Sequence, residues 1–280
     1  MSSRVALATC AELPGLGEDE PLLLEALRAR SVDAEPAVWD DRSIDWNGFD
    51  LVVVRSTWDY APRRDEFVAW ARSVPRLLNA ADVIAWNTDK RYLGGLPGAV
   101  HTTFVAPGED WAPPEGEFVV KPTISSGSIN TARYRPGEED RARAHVRQLL
   151  AAGRHAMVQP YLSAVDEVGE TALVFFEGRF SHAIRKGQML HAGRGPGTGL
   201  YVDENIRPRD PSAAEREAAE RVLDAIPWSR DELLYARVDL IPGGDGAPRL
   251  VELELAEPSL FLSYSAGAPE RLARLIEDRL

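Results

Sequence analysis

The order of strand and helix patterns in the first 80 residues constrains the fold of this chain more than any other feature. Segments 4–9 and 49–57 are centred on apolar runs that are typical of strands buried on both faces. Each is followed by a segment whose apolar residues recur at helical spacing, 18–30 after the first and 62–74 after the second. Because strands that alternate with helices form parallel sheets, residues 1–80 are predicted to be a small α/β domain.

Residues 81–160 and 161–280 are predicted to form two further α+β units. The second unit contains two hairpin patterns, 170–186 and 233–255, and the later one turns at the sequence GGDG. A long glycine-rich loop at 187–211 lies between the two hairpins. Loops of this length inside a compact domain usually have a function or are disordered.

Composition excludes several classes of protein. The formal charge of -12 argues against nucleic acid as a partner, since nucleic-acid-binding proteins usually carry a basic stripe. No apolar run is long enough for a membrane span, so no membrane partner is expected. Cys10 is the only cysteine, which excludes an intramolecular disulfide and a cysteine-based metal site. The N-terminus lacks the features of a signal peptide, and a cytoplasmic protein is predicted.

Lysine is rare: only Lys90, Lys121 and Lys186 occur among 32 basic residues. A compact ammonium charge suits phosphate binding, although chance survival in an arginine-biased chain explains Lys186 equally well. Lys121 ends a strand pattern just before the small-residue stretch PTISSGSIN. Such a loop can wrap backbone N–H groups and hydroxyls around phosphates, but it can also be a plain polar turn, and it is not a Walker A motif.

The second hairpin gathers charged residues on one face. Side chains alternate along a strand, so Glu252 and Glu254 share a face, and Arg237 and Asp239 share the facing positions of the paired strand. Three carboxylates on one face are costly unless a cation neutralises them, although a solvated acidic face is the simple alternative. Oxygen ligands suit Mg²⁺ or Mn²⁺, and Mg²⁺ often completes its shell with phosphate oxygens, which implies a nucleotide.

The order of these parts resembles the ATP-grasp superfamily of carboxylate–amine ligases, especially the branch of glutathione synthetase, D-alanine–D-alanine ligase and the ribosomal-protein glutamate ligases. The resemblance covers nearly the whole chain. It implies an ATP-grasp fold of class α/β (α+β), with a Rossmann-like pre-ATP-grasp domain at 1–80 that binds substrate. Two α+β subdomains, 81–160 and 161–280, would clasp ATP. The segments RSTWDY, FSHAIRK and ELELAEPSLF are also similar to the ATP-grasp enzymes that close the ring of D-cycloserine from an O-ureido-serine.

The resemblance implies ATP and Mg²⁺ as cofactors, with two ions expected and Mn²⁺ as a possible substitute. The implied ATP-binding residues are two phosphate-binding lysines, a mobile loop, an adenine-binding hinge and a ribose-binding acid: Lys90, Lys121, Ser125, Ser126, Gly127, Ser128, Gln159, Tyr161, Leu162 and Glu170. The implied metal ligands are Asp239, Glu252 and Glu254, of which Glu254 stands where the family usually has Asn. Arg237 and Arg185 would steady the transferred phosphate or the substrate.

Substrate-binding residues are expected where ligands gather in open α/β sheets, at the carboxyl ends of the strands. Arg55 is a candidate partner for a substrate carboxylate. Ser56, Thr57 and Asp59 are candidates for polar groups, or they simply cap the following helix. Arg194 in the glycine-rich loop and Ser259 after the acidic strand are further candidates.

The predicted function is an ADP-forming carbon–nitrogen ligase. ATP would activate a small, amino-acid-like carboxylate as an acyl phosphate, which a nitrogen of a second substrate or of the same molecule then attacks. An ATP-dependent small-molecule kinase on the same scaffold and a nucleotide-binding protein without turnover are the alternatives. The expected partner is a small-molecule carboxylate, and a homodimer is expected because dimers are common among similar ligases.

Overall fold

The first part of the chain is a parallel sheet with helices on both faces. The structure, a computed structural model, describes residues 3–187, 190 and 205–280. The elements of this part are β1 (Arg4–Thr9), α1 (Glu20–Ala29), β2 (Asp33–Val38), β3 (Leu51–Ser56), α2 (Arg64–Ser73), β4 (Leu77–Leu78) and α3 (Ala81–Asn87). The strands lie in the order β2-β1-β3-β4 and are all parallel, which confirms the predicted α/β sheet.

Alternation along β1 divides its apolar residues between two cores. Leu7 packs in the same cluster as Leu23 of α1. Ala8 packs in the other cluster with Phe67 and Trp70 of α2. Both faces of the sheet are therefore covered, as the uninterrupted apolar character of its strands requires.

The second part of the chain is a four-stranded antiparallel sheet. Its elements are β5 (Thr103–Val105), β6 (Phe118–Pro122), β7 (Ala132–Tyr134), α4 (Glu139–Ala151) and β8 (Ala156–Pro160). The strand order is β5-β8-β6-β7, and α4 covers one face through Val146 and Leu149. A 3-10 helix at Lys90–Gly95 precedes this sheet and is capped by the Asp89 side chain. The strand that ends at Lys121 and Pro122 lies at the centre of the sheet.

The third part is a five-stranded antiparallel sheet built from the two predicted hairpins and a fifth strand. Its elements are α5 (Ala164–Val168), β9 (Glu170–Phe176), β10 (Arg179–Lys186), β11 (Ile206–Arg209), α6 (Ala213–Asp224), β12 (Tyr235–Pro242), β13 (Pro248–Glu254) and α7 (Ala268–Glu277). The order β11-β10-β9-β12-β13 places the second hairpin beside the first. The fifth strand, β11, pairs with β10 and lies in the segment 187–211 that was predicted to be a loop.

The two faces of this third sheet differ in character. Leu173 and Val238 belong to an apolar core that Val222 and Leu223 of α6 complete. The opposite face carries the charged residues of the acidic hairpin. Because one face is sealed by a helix, the charged face is the one that remains for ligands.

The last helix returns to the beginning of the chain. Leu272 and Ile276 of α7 share a core with Leu27 of α1, and Arg30 pairs with Glu277 at 2.5 Å. The third sheet and the first domain are thereby packed against each other. None of the helices in the described ranges is both long and apolar enough to cross a membrane.

Candidate active site

A cavity of about 910 Å³ lies where the three sheets meet. The first domain contributes the loop 12–20 with Trp58 and Tyr60, the second sheet contributes the loop 125–128 and the segment 159–162, and the third contributes the charged face of β9, β10, β12 and β13. A space of this size, where three parts of the chain meet, lies at the upper end of the range for small-molecule and cofactor sites.

Strand register decides which side chains share the charged face. Arg237 lies opposite Glu254, and Asp239 lies opposite Glu252. The neighbouring hairpin adds Lys186, which lies opposite Glu170. A bulge between the register of Asp239 and that of Leu240 breaks the alternation, so Val251 also lines the cavity instead of packing in the core. The hairpin with charged residues on one face is as predicted.

Arg237 connects the two strands of the acidic hairpin. Its Nε donates to Asp239 Oδ1 at 2.9 Å, and its terminal nitrogens donate to Asp239 Oδ2 at 2.9 Å and to Glu254. A fourth bond, at 3.1 Å, runs to the carbonyl oxygen of Ser259. The guanidinium is thus fixed in one orientation at the cavity wall.

Lys186 occupies the centre of the charged face. Its Nζ donates to Glu170 Oε1 at 2.8 Å and to Asp239 Oδ2 at 2.9 Å, and its side chain is 4% exposed. Burial raises the pKa of Glu170 to about 7, although Lys186 opposes the shift. Burial acts in the same direction on Asp239, but Arg237 and Lys186 outweigh it and lower its pKa. Sequence reasoning assigned Lys186 no role, and the only signal was the scarcity of lysine.

The two predicted phosphate-binding lysines lie on the same wall. Lys90 Nζ donates to the carbonyl oxygen of Ser125 at 2.6 Å and lies 3.2 Å from Glu252 Oε1. Burial lowers the pKa of Lys121, with Glu252 opposing and Lys90 adding to the shift. Lys90 and Lys121 together overcome the effect of burial on Glu252, whose pKa is lowered. An anion that entered here would meet two ammonium groups, of which Lys90 pairs with Glu252 and Lys121 lies close enough to act on its charge.

The three acidic residues predicted to bind metal have different partners. Asp239 is engaged by Arg237 and Lys186, whereas the side chains of Glu252 and Glu254 are 26% and 24% exposed. Within the ranges that the structure describes, no three acidic, histidine or cysteine side chains converge closely enough to enclose a metal ion. Burial raises the pKa of Glu254 to about 7, Arg237 opposing and Glu252 adding to the shift. A cation bound beside Glu254 would stabilise the charged form of its carboxylate. Carboxylate oxygens are ligands that suit Mg²⁺.

The predicted ATP loop and hinge also line the cavity. Gly127 and Ser128 both have positive φ, 57° and 61°, which bends the loop sharply. Ser126 Oγ donates to the carbonyl oxygen of Trp58 at 2.5 Å and so ties this loop to the first domain. In the hinge, Gln159 Nε2 donates to Thr102 at 3.0 Å, and the Tyr161 ring stacks under Arg133. Leu162 completes that part of the wall.

The structure corrects the prediction that Arg55 faces a substrate carboxylate. Arg55 is fully buried, pairs with Glu20 at 2.9 Å and donates to the carbonyl oxygen of Pro258 at 2.8 Å. The guanidinium is buried away from the cavity and already has a carboxylate partner in Glu20, so it does not face a substrate carboxylate. Glu20, 35 residues earlier in the chain, is the partner that sequence reasoning missed.

Ser56, Thr57 and Asp59 are likewise buried within the first domain and do not line the cavity. Ser56 Oγ accepts from the Gly17 N–H at 3.0 Å, and Asp59 accepts from Trp39 Nε1 at 2.8 Å. Their position away from the cavity contradicts the predicted substrate contacts. The alternative of helix caps is also wrong, because no side chain caps α2. Their neighbours Trp58 and Tyr60 face the cavity instead.

Arg185 lies on the wrong face of β10 for the role predicted for it. Successive side chains of a strand point to opposite faces, and Lys186 takes the cavity face. Burial lowers the pKa of Arg185, and the nearby Arg209 adds to the shift while Glu215 opposes it. Ser259 does line the cavity. Arg194 lies outside the described residues.

Comparison with known proteins decides the family. Residues 5–79 match the family model of the N-terminal domain of D-cycloserine synthetase DcsG. The chain is 39% identical to the cycloserine biosynthesis protein DcsG of Streptomyces lavendulae, over 99% of this chain and 98% of that protein. The chain belongs to the DcsG family. The crystal structure of D-cycloserine synthetase DcsG matches it with a TM-score of 0.90 and 37% identity, covering 99% of both chains.

More distant structures show that the DcsG family has the ATP-grasp fold. D-alanine–D-alanine ligase from Bacillus anthracis, complexed with ATP, gives a TM-score of 0.64 at 15% identity, over 99% of this chain and 97% of that one. The ATP-grasp ligase PsnB, complexed with a variant of its minimal precursor, Mg and ADP, gives 0.59 at 16% identity, over 100% and 99%. These distant structures confirm the predicted fold. The prediction of a ligase is confirmed by the full-length relation to the cycloserine synthetase DcsG.

Proposed function

We propose that this protein is an ATP- and Mg²⁺-dependent ligase that activates the carboxylate of a small amino acid as an acyl phosphate. A nitrogen of the same molecule then attacks, closing a ring as in cycloserine formation. The observation that carries the proposal is the cavity wall on which four cations of the described residues lie among the carboxylates of the charged face, in a chain related over its whole length to DcsG. An acyl-phosphate reaction needs such a wall, because charge moves between phosphate oxygens during both steps.

ATP lies between the second and third sheets in this proposal. Lys90 and Lys121 hold the α- and β-phosphates, and the loop 125–128 closes over them. The adenine lies against the hinge residues 159–162, and Glu170 is the candidate for the ribose hydroxyls. Support comes from the shared cavity wall and from the ATP that the related D-alanine ligase fold holds.

Mg²⁺ is proposed to bind at Glu252 and Glu254 with Asp239, as two ions, and Mn²⁺ would fit the same oxygen ligands. Bound Mg²⁺ supplies charge neutralisation for the transferred phosphoryl group. Arg237, fixed by Asp239 and the Ser259 carbonyl, would offset the charge of the same group from the cavity wall. The related PsnB structure contains Mg with ADP.

The two chemical steps balance without a side-chain nucleophile. A substrate carboxylate oxygen forms a bond to the γ-phosphorus, and ADP leaves. The nitrogen then forms a bond to the acyl carbon, phosphate leaves with the activating oxygen, and the nitrogen loses a proton. The task of the chain is to orient the reactants and to offset charge through Lys186 and Arg237. A small molecule is the proposed partner, without nucleic acid or membrane, and the proposed assembly is a homodimer.

A trapping assay tests this function. Purified protein is incubated with MgATP, hydroxylamine and a panel of amino-acid carboxylates that includes both enantiomers of O-ureido-serine, and ADP and hydroxamate are measured. We expect hydroxamate and cyclised product together in a one-to-one ratio to ADP. Neither should form without ATP, and at limiting Mg²⁺ Glu252→Gln should form less of both. A stable phosphorylated acceptor without hydroxamate would instead identify a kinase. Binding of MgATP without turnover across the panel would contradict the ligase proposal.

A further inference from the structure

An irregular segment after β13 is held almost entirely by side chains. Each of the six consecutive carbonyl oxygens from Leu255 to Leu260 accepts a side-chain hydrogen bond, at 2.7 to 3.1 Å. The donors, in order, are Asn79, Tyr235, Trp58, Arg55, Arg237 and His182. We call residues 255–260 the strap. A buried segment without a strand partner needs such donors, and here they come from both the first domain and the third sheet.

The strap fixes the position of Glu257. The Trp58 indole holds its own carbonyl at 3.0 Å, and Arg55 holds the next one at 2.8 Å. The side chain of Glu257 lines the cavity. Because these two hydrogen bonds fix the backbone at Glu257, its carboxylate has a defined position in the cavity wall.

Among the described residues no cation pairs directly with Glu257, although the nearby charge of Lys90 acts to lower its pKa. By contrast, each of the three carboxylates predicted to bind metal makes an ion pair. The Tyr60 hydroxyl lies within hydrogen-bonding reach of the Glu257 carboxylate. Burial raises the pKa of Glu257 to about 8, and the nearby charge of Glu254 adds to the shift. A cationic group bound beside Glu257 would offset both the cost of burying its charge and the repulsion from Glu254.

The charges of the cavity wall are separated by position. The cationic side chains that line it, among the described residues, are Lys90, Lys121, Lys186 and Arg237, all beside the acidic face. The first-domain side is acidic, with Glu12, Glu18, Asp19 and Glu20 in its loop. Arg55 does not line the cavity, because it is buried in an ion pair with Glu20. A ligand with opposite charges at its two ends therefore has only one favourable orientation.

We infer that Glu257 selects substrates that carry a free ammonium group, by binding the α-ammonium of the amino acid whose carboxylate is activated. The ammonium then lies between the strap and the first domain, and the carboxylate points to Arg237 and the phosphates. The inference rests on the proposed function for the identity of the reacting carboxylate. The role given to Glu257 is specificity, not chemistry.

The test compares O-ureido-serine with 3-(ureidooxy)propanoate, which lacks only the amino group. For Glu257→Gln we expect KM for O-ureido-serine to rise about 10- to 100-fold, the usual effect of losing a charge-assisted hydrogen bond. The KM for the desamino compound should change less than about threefold, because it makes no such bond in either protein, and KM for ATP should stay within the same limit.

Two further variants distinguish a direct contact of Glu257 with the substrate from a general effect of negative charge in the cavity and from an effect on folding. Glu12→Gln removes one charge from the same cavity wall and should raise KM for O-ureido-serine far less than Glu257→Gln. Glu257→Asp keeps the charge and should recover part of the lost affinity. An equal effect of Glu12→Gln, or an equal effect of Glu257→Gln on both compounds, would overturn the inference.

Calorimetry separates this inference from the ligase proposal. Binding of the two compounds is measured in the presence of Mg²⁺ and an ATP analogue that cannot transfer its γ-phosphate. Tighter binding of O-ureido-serine that disappears in Glu257→Gln supports the inference even if no carboxylate yields hydroxamate. Hydroxamate formation without any preference for the ammonium would keep the ligase and overturn the inference. Absence of binding by both compounds would also overturn it.

Discussion

Replacing Lys186 by methionine removes the cation between Glu170 and Asp239. The Nζ atom lies 2.8 Å from Glu170 and 2.9 Å from Asp239, and the three side chains are 4%, 10% and 2% exposed. Removing one partner of a buried ion pair costs about 3–5 kcal/mol, because the remaining charge is left uncompensated. Asp239 keeps its bonds from Arg237, and Glu170 can take up a proton. We therefore expect a loss near the lower limit, about 3 kcal/mol.

The loss should appear as a fall in Tm of roughly 6–12 °C, at about 2–4 °C per kcal/mol for a chain of this size. It should be larger at pH 8.5 than at pH 6.0. Glu170, with its pKa of about 7, is mostly neutral at the lower pH in both proteins, so the missing cation matters less there.

A matched control uses an exposed pair. Arg221 lies 2.8 Å from Glu217 on α6, and these side chains are 56% and 73% exposed. Arg221→Met should cost only about 0.3–0.5 kcal/mol, because water screens such a pair. If Lys186→Met unfolded at the same temperature as Arg221→Met, the reasoning that Lys186 neutralises a buried acidic face would be refuted.

Three other residues of this region give separate predictions. Glu252→Gln should raise the Mg²⁺ concentration for half-maximal ATP turnover about tenfold or more, and an unchanged Mg²⁺ dependence would exclude Glu252 as a ligand. Gly169→Ala should lower Tm more than Gly153→Ala: φ is +73° and +72°, but only at Gly169 would the new Cβ lie 2.4 Å from the Lys186 carbonyl oxygen, and equal shifts would refute the clash. Glu257→Gln should gain stability relative to the wild type as pH rises from 5 to 9. The folded protein holds the Glu257 proton up to about pH 8 and the unfolded chain only to about 4.5, so the wild type loses stability across this window; a pH-independent difference in Tm would contradict this.

Local signals in the sequence predicted much of the fold. The turn Glu177-Gly178 has φ values of 47° and 70°, the left-handed pair that a tight hairpin needs, and the hairpin forms there. The acidic hairpin follows from strand alternation and a short turn, so the shared face of Glu252 and Glu254 could be read directly.

Contacts between distant parts of the chain were the ones that sequence could not supply. The pairing of Arg55 with Glu20 depends on how the loop 12–20 folds over β3, which no periodicity encodes. The strap depends on Asn79, which reaches the Leu255 carbonyl across 176 residues. Arg185 and Lys186 are adjacent in the chain and point to opposite faces of β10. An error of one residue in assigning the strand face therefore places the wrong one of them in the site.

The central claim is that the substrate carboxylate is phosphorylated by ATP in this cavity. Its most direct test is oxygen transfer: a substrate identified by trapping, labelled with ¹⁸O in both carboxylate oxygens, is converted with unlabelled MgATP, and the released phosphate is analysed by mass spectrometry. Formation of an acyl phosphate predicts one ¹⁸O atom in each phosphate released. Phosphate free of ¹⁸O, at full conversion to product, would contradict the account.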